Sequence, residues 1–455
     1  MEIYRLMLKG VGCFTDLDIP LAPTIDHTTN ITVIVGDNGA GKTTLLKSLA
    51  TSLSWLVARI RTEKGQGSPI AVEDIQNSAR TAVITIGVTD ESHPRCDLSV
   101  VPYEDYGFVW SMARGRKGSK SALHSDFSEV TLLADHYRTQ LTANDKASLP
   151  LIAYYPVERS VLEIPLKIRT KHTFDQLDGY DNSLNRGVDF RRFFEWFRER
   201  EDSENETGIS DAALAEISEK FGTDSDVWKT LANLKASSRD RQLTAVRSAI
   251  AAFMTGFSNL RVQRRPRLHM AIDKDGVTLN VAQLSQGEKS MMALVGDIAR
   301  RLAMMNQSLA NPLHGDGIVL IDEVDLHLHP RWQRSLIRQL SETFPKCQFV
   351  LTTHSPLVIS DAKDVLVYVL KDGELHEHNG LYGLDANQVL LEVMDTDIRN
   401  SDVQERLNRL LNEVQDGNLE KANSLFAELS SELPEGHIEL AKAALLIRKL
   451  ELRRA

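Results

Sequence analysis

Cysteine is scarce in this chain: Cys13, Cys96 and Cys347 are the only three in 455 residues. They are odd in number, far apart and without CxxC spacing, which argues against a disulfide framework and a zinc site and leaves reduced core thiols as the expectation. Long apolar runs are missing as well. No stretch approaches the roughly 20 residues that a bilayer-spanning helix needs. The opening MEIYRLMLKGVGCF has no charged leader, apolar core or small-residue cleavage site. A cytoplasmic protein without a membrane partner is expected. Nor is there a general excess of positive charge: 53 basic against 63 acidic side chains leave a formal net charge of -10, which repels polyanions beyond contact range. Repeats of solenoid period and sustained heptads are absent.

What is present is ordinary globular composition, 42% hydrophobic and 25% charged, at a length that allows two or three domains or one domain with an insertion. Residues 2–9 and 15–19 pattern as strands, and NITVIV (30–35) reads as a buried strand running straight into glycine. Leu45, Leu46, Leu49, Leu53 and Leu56 then recur at three and four, so a helix follows the loop. Between Arg80 and Val109 the runs TAVITIGV, CDLSVV and YGFVW suggest an antiparallel meander. From about 160 to 256 the chain becomes charged and helical, clearest in FRRFFEWFRERE and VWKTLANLKASSRDRQLTAVRSAIAAFM, with EDSENETGISD as its expected flexible piece. GIVLID (317–322) and QFVLTT (348–353) suit a buried parallel sheet. After Asp385, apolar residues at helical spacing, such as Leu407, Leu410 and Leu411, predict a helical cap or a partner-binding face.

Against that frame stand four sets of polar residues. Gly36, Asp37, Asn38, Gly39, Ala40, Gly41, Lys42, Thr43 and Thr44 fit GxxxxGK[ST] between a strand and a helix, a loop whose backbone N–H groups, lysine and hydroxyl hold a nucleotide's phosphates and Mg²⁺. Asp322 and Glu323 close an apolar strand, with Asp325 just beyond; alternation sends the first toward a metal shell and the second toward a water near the γ-phosphate. His354 ends another strand, where ligands bind in parallel sheets. Ser285, Gln286, Gly287 and Glu288 look like the capped start of a helix, where free N–H groups suit a phosphate. They lie far beyond the helical insertion, so that phosphate is expected from a second subunit related by a two-fold axis. His327 and His329 are spaced for no zinc site. Two basic runs, RGRKGSK (114–120) and RVQRRPR (261–267), are candidates for nucleic-acid contact.

Taken in order, GDNGAGKT, LSQGEKS, LIDE, VDLH and TTH resemble the ABC-type ATPase head shared by the SMC, Rad50, RecF and OLD proteins, over residues 1–60 and 258–376. The resemblance implies an α/β fold: a P-loop NTPase head with a mixed sheet, an antiparallel β-subdomain, an inserted helical lobe and a C-terminal helical region. The head would occupy 1–159 and 258–380, the lobe 160–257 and the helical region, offering an oligomer or partner interface, 381–455. ATP and Mg²⁺ would be the cofactors. Lys42 and Thr43 would be Walker A, Asp322 and Glu323 Walker B, Asp325 the D-loop and His354 the H-switch, with Thr43 and Asp322 on the metal. Ser285, Gln286, Gly287 and Glu288 would be the signature, acting on the twin's ATP in a sandwiched homodimer or higher even-numbered oligomer. LIAYYPVERS lacks the family's Q-loop glutamine and offers Tyr155, Glu158 or Arg159 instead.

Without heptads between Lys42 and Ser285, long coiled-coil arms of SMC or Rad50 type have no room. Asp395 and Asp397 spell DxD but sit in a helix-like segment with no following sheet, so a nuclease of OLD type is not expected. The tail resembles that of the PtuA family, ATPases of Septu and some retron anti-phage systems. That implies a separate HNH nuclease subunit held on a homo-oligomeric ATPase scaffold, with DNA reached through the partner or the basic runs. The alternative is an ATP-dependent DNA-binding repair clamp of RecF or Rad50 type.

Overall fold

The computed structural model describes every residue except 91–106, 117, 119–123, 158–173, 186, 208–210, 232–238, 362, 395, 397 and 455. Cys96, the CDLSVV run, Glu158, Arg159, Asp395, Asp397 and part of RGRKGSK therefore lie outside the described residues. Of the other two cysteines expected in the core, Cys347 is buried, but Cys13 is exposed, because it lies beside the phosphate loop, where its thiol donates to the Ala40 carbonyl. Contact density divides the chain into two units, Met1–Leu384 and Asp385–Ala455.

In the larger unit, the short apolar runs make a six-stranded sheet. Strands β3 (Ile31–Gly36), β6 (Leu151–Tyr155), β10 (Gly317–Ile321), β11 (Cys347–Thr353) and β12 (Leu366–Lys371) are parallel, and β13 (Glu374–Glu377) pairs antiparallel with β12 at one edge. The order is β13-β12-β3-β11-β10-β6. β6, β10 and β11 are buried at every position, as strands covered on both faces must be. Two antiparallel sheets accompany it. One has β1 (Glu2–Val11), β2 (Phe14–Pro20), β4 (Thr81–Thr89) and β5 (Phe108–Gly115) in the order β2-β1-β4-β5; the other is β7 (Phe257–Gln263), β8 (His269–Lys274) and β9 (Val277–Asn280). Of the expected three-run meander, TAVITIGV and YGFVW pair directly with each other in the antiparallel β4–β5 ladder, in which Ile86 faces Trp110, and CDLSVV lies outside the described residues.

Helix α1 (Lys42–Arg61) buries Leu45, Leu46, Leu49, Leu53 and Leu56, all 0% exposed, each contributing about 1.5–3 kcal/mol of burial. Helix α2 (Ser128–Ala143) packs on α1. Helix α3 (Phe190–Thr207) runs through most of the segment expected to be flexible. The reason is Glu201, a buried carboxylate that accepts from the Val262 N–H at 2.9 Å and from Arg247 at 3.0 Å. Such a group holds the helix onto β7 despite its polar sequence. Helix α4 (Asp211–Phe221) follows. The long helical run expected from Val227 contains a fresh start: Asp240 accepts from the Gln242 and Leu243 N–H groups and begins helix α5 (Arg241–Phe253).

Helix α6 (Gln286–Met305) is buried nearly all round, as its apolar sequence demands, but carries three charges into the interior. Asp297, Arg300 and Arg301 are 0%, 1% and 2% exposed. Asp297 accepts from Arg300 and Arg301, each at 2.7 Å, and from the Tyr155 hydroxyl at 3.0 Å; Arg301 also donates to the Asp181 carbonyl at 3.1 Å. Burial alone raises the carboxyl's pKa, but the two guanidiniums outweigh it and bring it to about 2. Helices α7 (Pro330–Thr343) and α8 (Pro356–Ser360) complete the unit.

The smaller unit is helical: α9 (Ala386–Glu392), α10 (Ser401–Gln415), α11 (Leu419–Glu432) and α12 (Ile438–Arg454). The last three enclose a core of their own, in which Leu407, Leu410, Val414, Ala422, Leu429 and Ala443 are buried. Among the described residues no helix is long and apolar enough to cross a membrane.

Asp297→Asn leaves two buried guanidiniums without a counter-charge and is expected to destabilise the protein by about 3–5 kcal/mol in urea unfolding at neutral pH. Because the native pKa is depressed, the carboxylate's contribution is present above the unfolded value and is lost as pH falls toward about 2. The parent's stability advantage over the variant should shrink on acidification through that range.

Candidate nucleotide-binding site

The phosphate loop is shaped by positions where no side chain fits. A Cβ on Gly36 would lie 2.5 Å from the Leu370 carbonyl oxygen. Gly39 and Gly41 have φ of 81° and 116°, and a Cβ on Gly41 would strike Cys13 Sγ at 2.5 Å. Asp37, Asn38 and Gly39 are exposed, Ala40 half-buried. α1 begins here with no side-chain cap and no acidic residue in its first turn, so the N–H groups of Lys42, Thr43 and Thr44 face outward at the positive end of the helix dipole. Such an end suits an anion.

Lys42 is 6% exposed. Its ammonium donates to the Gly36 and Asp37 carbonyls at 2.7 and 2.9 Å and lies 2.8 Å from His354 Nε2, whose lone pair accepts in the neutral tautomer. Burial pulls the lysine pKa below its usual range, and nearby Glu323, Asp322, Asp37 and Asp325 push partly back. The next residue, Thr43, donates from its hydroxyl to Asp322 Oδ2 at 2.7 Å.

β11 lies between β3 and β10, and this order brings the carboxylates to the loop. Asp322 is fully buried just after β10; its second oxygen accepts from the Thr352 hydroxyl on β11 at 2.5 Å. Thr352 Oγ1 also accepts from the Glu323 N–H at 2.8 Å. Glu323 is half-buried with φ of 44°, a left-handed conformation that a long side chain rarely adopts and that marks stored strain. Asp325 Oδ1 accepts from the Thr353 hydroxyl at 2.5 Å and the His354 N–H at 3.4 Å, so it holds the histidine in place. Walker A, Walker B, D-loop and H-switch candidates thus meet in one network. Thr352 and Thr353 had no assigned part in the sequence reading; the signal was available in the doublet preceding His354, once β11 is set beside β10.

The signature candidates are elsewhere. Ser285 caps α6 in a reciprocal box with Glu288: its hydroxyl accepts from the Glu288 N–H at 3.3 Å, and its own N–H donates to Glu288 Oε2 at 2.8 Å. The capped helix start expected here is present, and two of its N–H groups are satisfied within the cap. Glu288 is further engaged by Lys274 at 2.6 Å. Ser285 and Gln286 are exposed, and a Cβ on Gly287 would lie 2.3 Å from the His327 carbonyl oxygen. Among the described residues, no hydrogen bond joins these four to residues 36–44 of the same chain.

Of the glutamine substitutes, Tyr155 does not face the phosphate loop chemistry; its hydroxyl is bonded to Asp297, as an aromatic hydroxyl buried at 1% exposure requires. His329 accepts the Arg331 N–H and caps α7. No cluster of three or more metal-ligating side chains occurs among the described residues. In the first basic run Arg116 is held by the Ala79 and Ile75 carbonyls; the second is partly neutralised, since Arg261 pairs with Asp273 at 3.0 Å and Arg264 with Asp202, while Arg265 and Arg267 are exposed.

A family model described as "AAA domain, putative AbiEii toxin, Type IV TA system" matches residues 31–360, a span that contains the whole network. The "Retron Vc95 probable ATPase" of Vibrio cholerae serotype O1 biovar El Tor is 34% identical over 370 residues, covering 75% of this chain and 69% of that one. The "Septu protein PtuA" of Bacillus mycoides (strain KBAB4) is 43% identical over 94 residues, 21% of this chain and 13% of that one. Among solved structures, an SMC head bound to the C-winged helix domain of ScpA aligns with a TM-score of 0.42 and 17% identity, over 83% of this chain and 97% of that one. The extent of the family match and the coverage by the retron relative decide the assignment: this chain belongs to that AAA-domain family of ATPases.

Proposed function

We propose that the chain is the ATP-binding and ATP-hydrolysing subunit of a bacterial anti-phage defence complex, a switch whose nucleotide state controls a separate HNH nuclease. The observation that carries the ATPase part is the network in which Lys42, Thr43, Asp322, Asp325 and His354 converge beyond the carboxyl ends of β3, β10 and β11. The defence setting is supported by likeness to proteins named for retron and Septu systems. A DNA-clamp reading is weaker, because Arg261 and Arg264 of the better basic run are paired with Asp273 and Asp202, which leaves Arg265 and Arg267 as the exposed arginines of that run without a counter-charge among the described residues.

In this reading the γ-phosphate lies over the first turn of α1, taking hydrogen bonds from loop N–H groups and from Lys42. Thr43 and Asp322 fit Mg²⁺, since they bring one hydroxyl and one carboxylate side by side at 2.7 Å, and Mg²⁺ prefers few protein ligands together with phosphate oxygens. Bound there, the ion supplies charge to the phosphate oxygens. Glu323 orients or deprotonates water, and His354 turns from Lys42 toward the phosphate. The exposed Ser285 turn meets the nucleotide of a second copy, so two ATP molecules are sandwiched between two chains.

Lys42→Ala should weaken ATP binding by about a hundredfold in equilibrium titration. Glu323→Gln should retain binding, lower kcat by about 10²–10⁴ and accumulate an ATP-bound dimer on size-exclusion chromatography. Identical elution of that variant and the parent with ATP would count against the switch. Shared sites have a sharper signature. Lys42→Ala and Ser285→Arg chains, each inactive alone, should recover about a quarter of parental activity when mixed, because half of the random dimers contain one intact site. No recovery, with mixed dimers demonstrated by a tag, would refute the two-chain site.

A further inference from the structure

Tyr155 stands where two hydrogen-bond systems meet. Its carbonyl accepts from the Asp322 N–H at 2.9 Å, and its hydroxyl donates to Asp297 on α6 at 3.0 Å. α6 is the helix that Ser285 caps. At its first turn it meets the stretch after Asp322 directly, where Gly287 lies against the His327 carbonyl. The two attachments, at residues 287 and 297, are about 15 Å apart along the helix, and both lead to the stretch that carries Asp322 and Glu323. A rigid helix pinned at two such points must follow any shift of that stretch.

The middle pin is more elaborate than packing needs. Asp297 already has two guanidinium partners, so the cluster holds two positive charges for one negative in an almost fully buried place. Among the described residues Arg300 is poorly satisfied: its Nε has no partner there, and one terminal nitrogen meets the Met304 sulfur at 3.6 Å. The tyrosine hydroxyl is not required to neutralise Asp297. What it adds is a directed bond from the end of β6, beside Asp322, to the interior of α6.

We propose that Tyr155 is a positioning residue that couples the nucleotide pocket to the Ser285 turn of the same chain: its hydroxyl, through Asp297, keeps α6 in register with Asp322 and Glu323, so that nucleotide-driven movement of that segment reaches the surface offered to the second chain. This rests on the two-chain reading above. A phenylalanine ring fills the same volume and leaves Asp297 with both arginines, so stability and direct nucleotide contacts are preserved while the link is cut.

The test compares full-length parent, Tyr155→Phe and Arg300→Met. For Tyr155→Phe, ATP binding should stay within about twofold, while kcat and ATP-dependent self-association by analytical ultracentrifugation each fall about tenfold, the scale of one hydrogen bond to a charged group. Arg300→Met removes the surplus buried charge, so its Tm should be equal or higher and its kcat within about twofold of the parent. Parental association and turnover in Tyr155→Phe would overturn the coupling role. So would an equal loss in Arg300→Met, because the cluster would then act as packing in general. A parent that does not self-associate with ATP would overturn the two-chain reading itself, and it is measured first.

Discussion

The carboxylate of Asp322 has no exposure to solvent, yet it accepts one hydrogen bond from Thr43 on the phosphate loop and another from Thr352 on the adjacent strand. An unsatisfied buried charge is expensive, so both donors must stay in reach, and the neighbouring structure is arranged accordingly. β11 has to separate β3 from β10 for Thr352 to stand beside Asp322 while Thr353 reaches Asp325. The glycines of the loop follow from the same demand. With a side chain at Gly36 or Gly41 the loop would be forced off β12 or off Cys13, and Thr43 would leave its carboxylate.

Around this centre the molecule is unevenly rigid. Asp297 fastens α6 to β6 through the Tyr155 hydroxyl, and Arg301 fastens it to the Asp181 carbonyl, while the buried ion pairs of Asp297 with Arg300 and Arg301 lie within the helix itself. The segment from Glu323 to His327 is different, because φ values of 44° and 65° place two side-chain-bearing residues in a conformation that glycine alone adopts freely. Strain beside a phosphate site is where a small rearrangement on ligand binding is least costly. Asp325 counters it by fixing His354, so the strained turn and the histidine that meets Lys42 are mechanically joined.

The surface of the smaller unit has a separate logic. α10, α11 and α12 enclose their own apolar core, while Ile438, Leu445 and Leu452, spaced seven apart on α12, are about seven-tenths exposed. The heptad spacing places them on one side of the helix. The helical tail is thus an autonomous unit, which its sequence periodicity alone did not reveal, since the same pattern serves a helix capping someone else's core.

Much of the machinery was legible in the residues themselves. GDNGAGKT between an apolar strand and a leucine-spaced helix has few other mechanical uses, and Asp322, Glu323 and His354 were recognisable because strand ends of a parallel sheet are where ligands bind. Local chemistry and period determine such features, so the chain alone contains them. Three things were decided only in three dimensions. Glu201 kept a polar, seemingly loose segment helical by bonding to Val262 and Arg247, residues more than forty positions away. Glu288 completed the cap at Ser285 reciprocally, so that two N–H groups of that helix start are bonded within it. Asp297, Arg300 and Arg301 showed in the sequence as three charges interrupting an apolar helix, but their partner Tyr155 is 142 positions away and is supplied by strand order. Sequence spacing fixes which face a side chain takes within its own element; which other element meets that face is set by how sheet and helices stack, and that is information no local window carries.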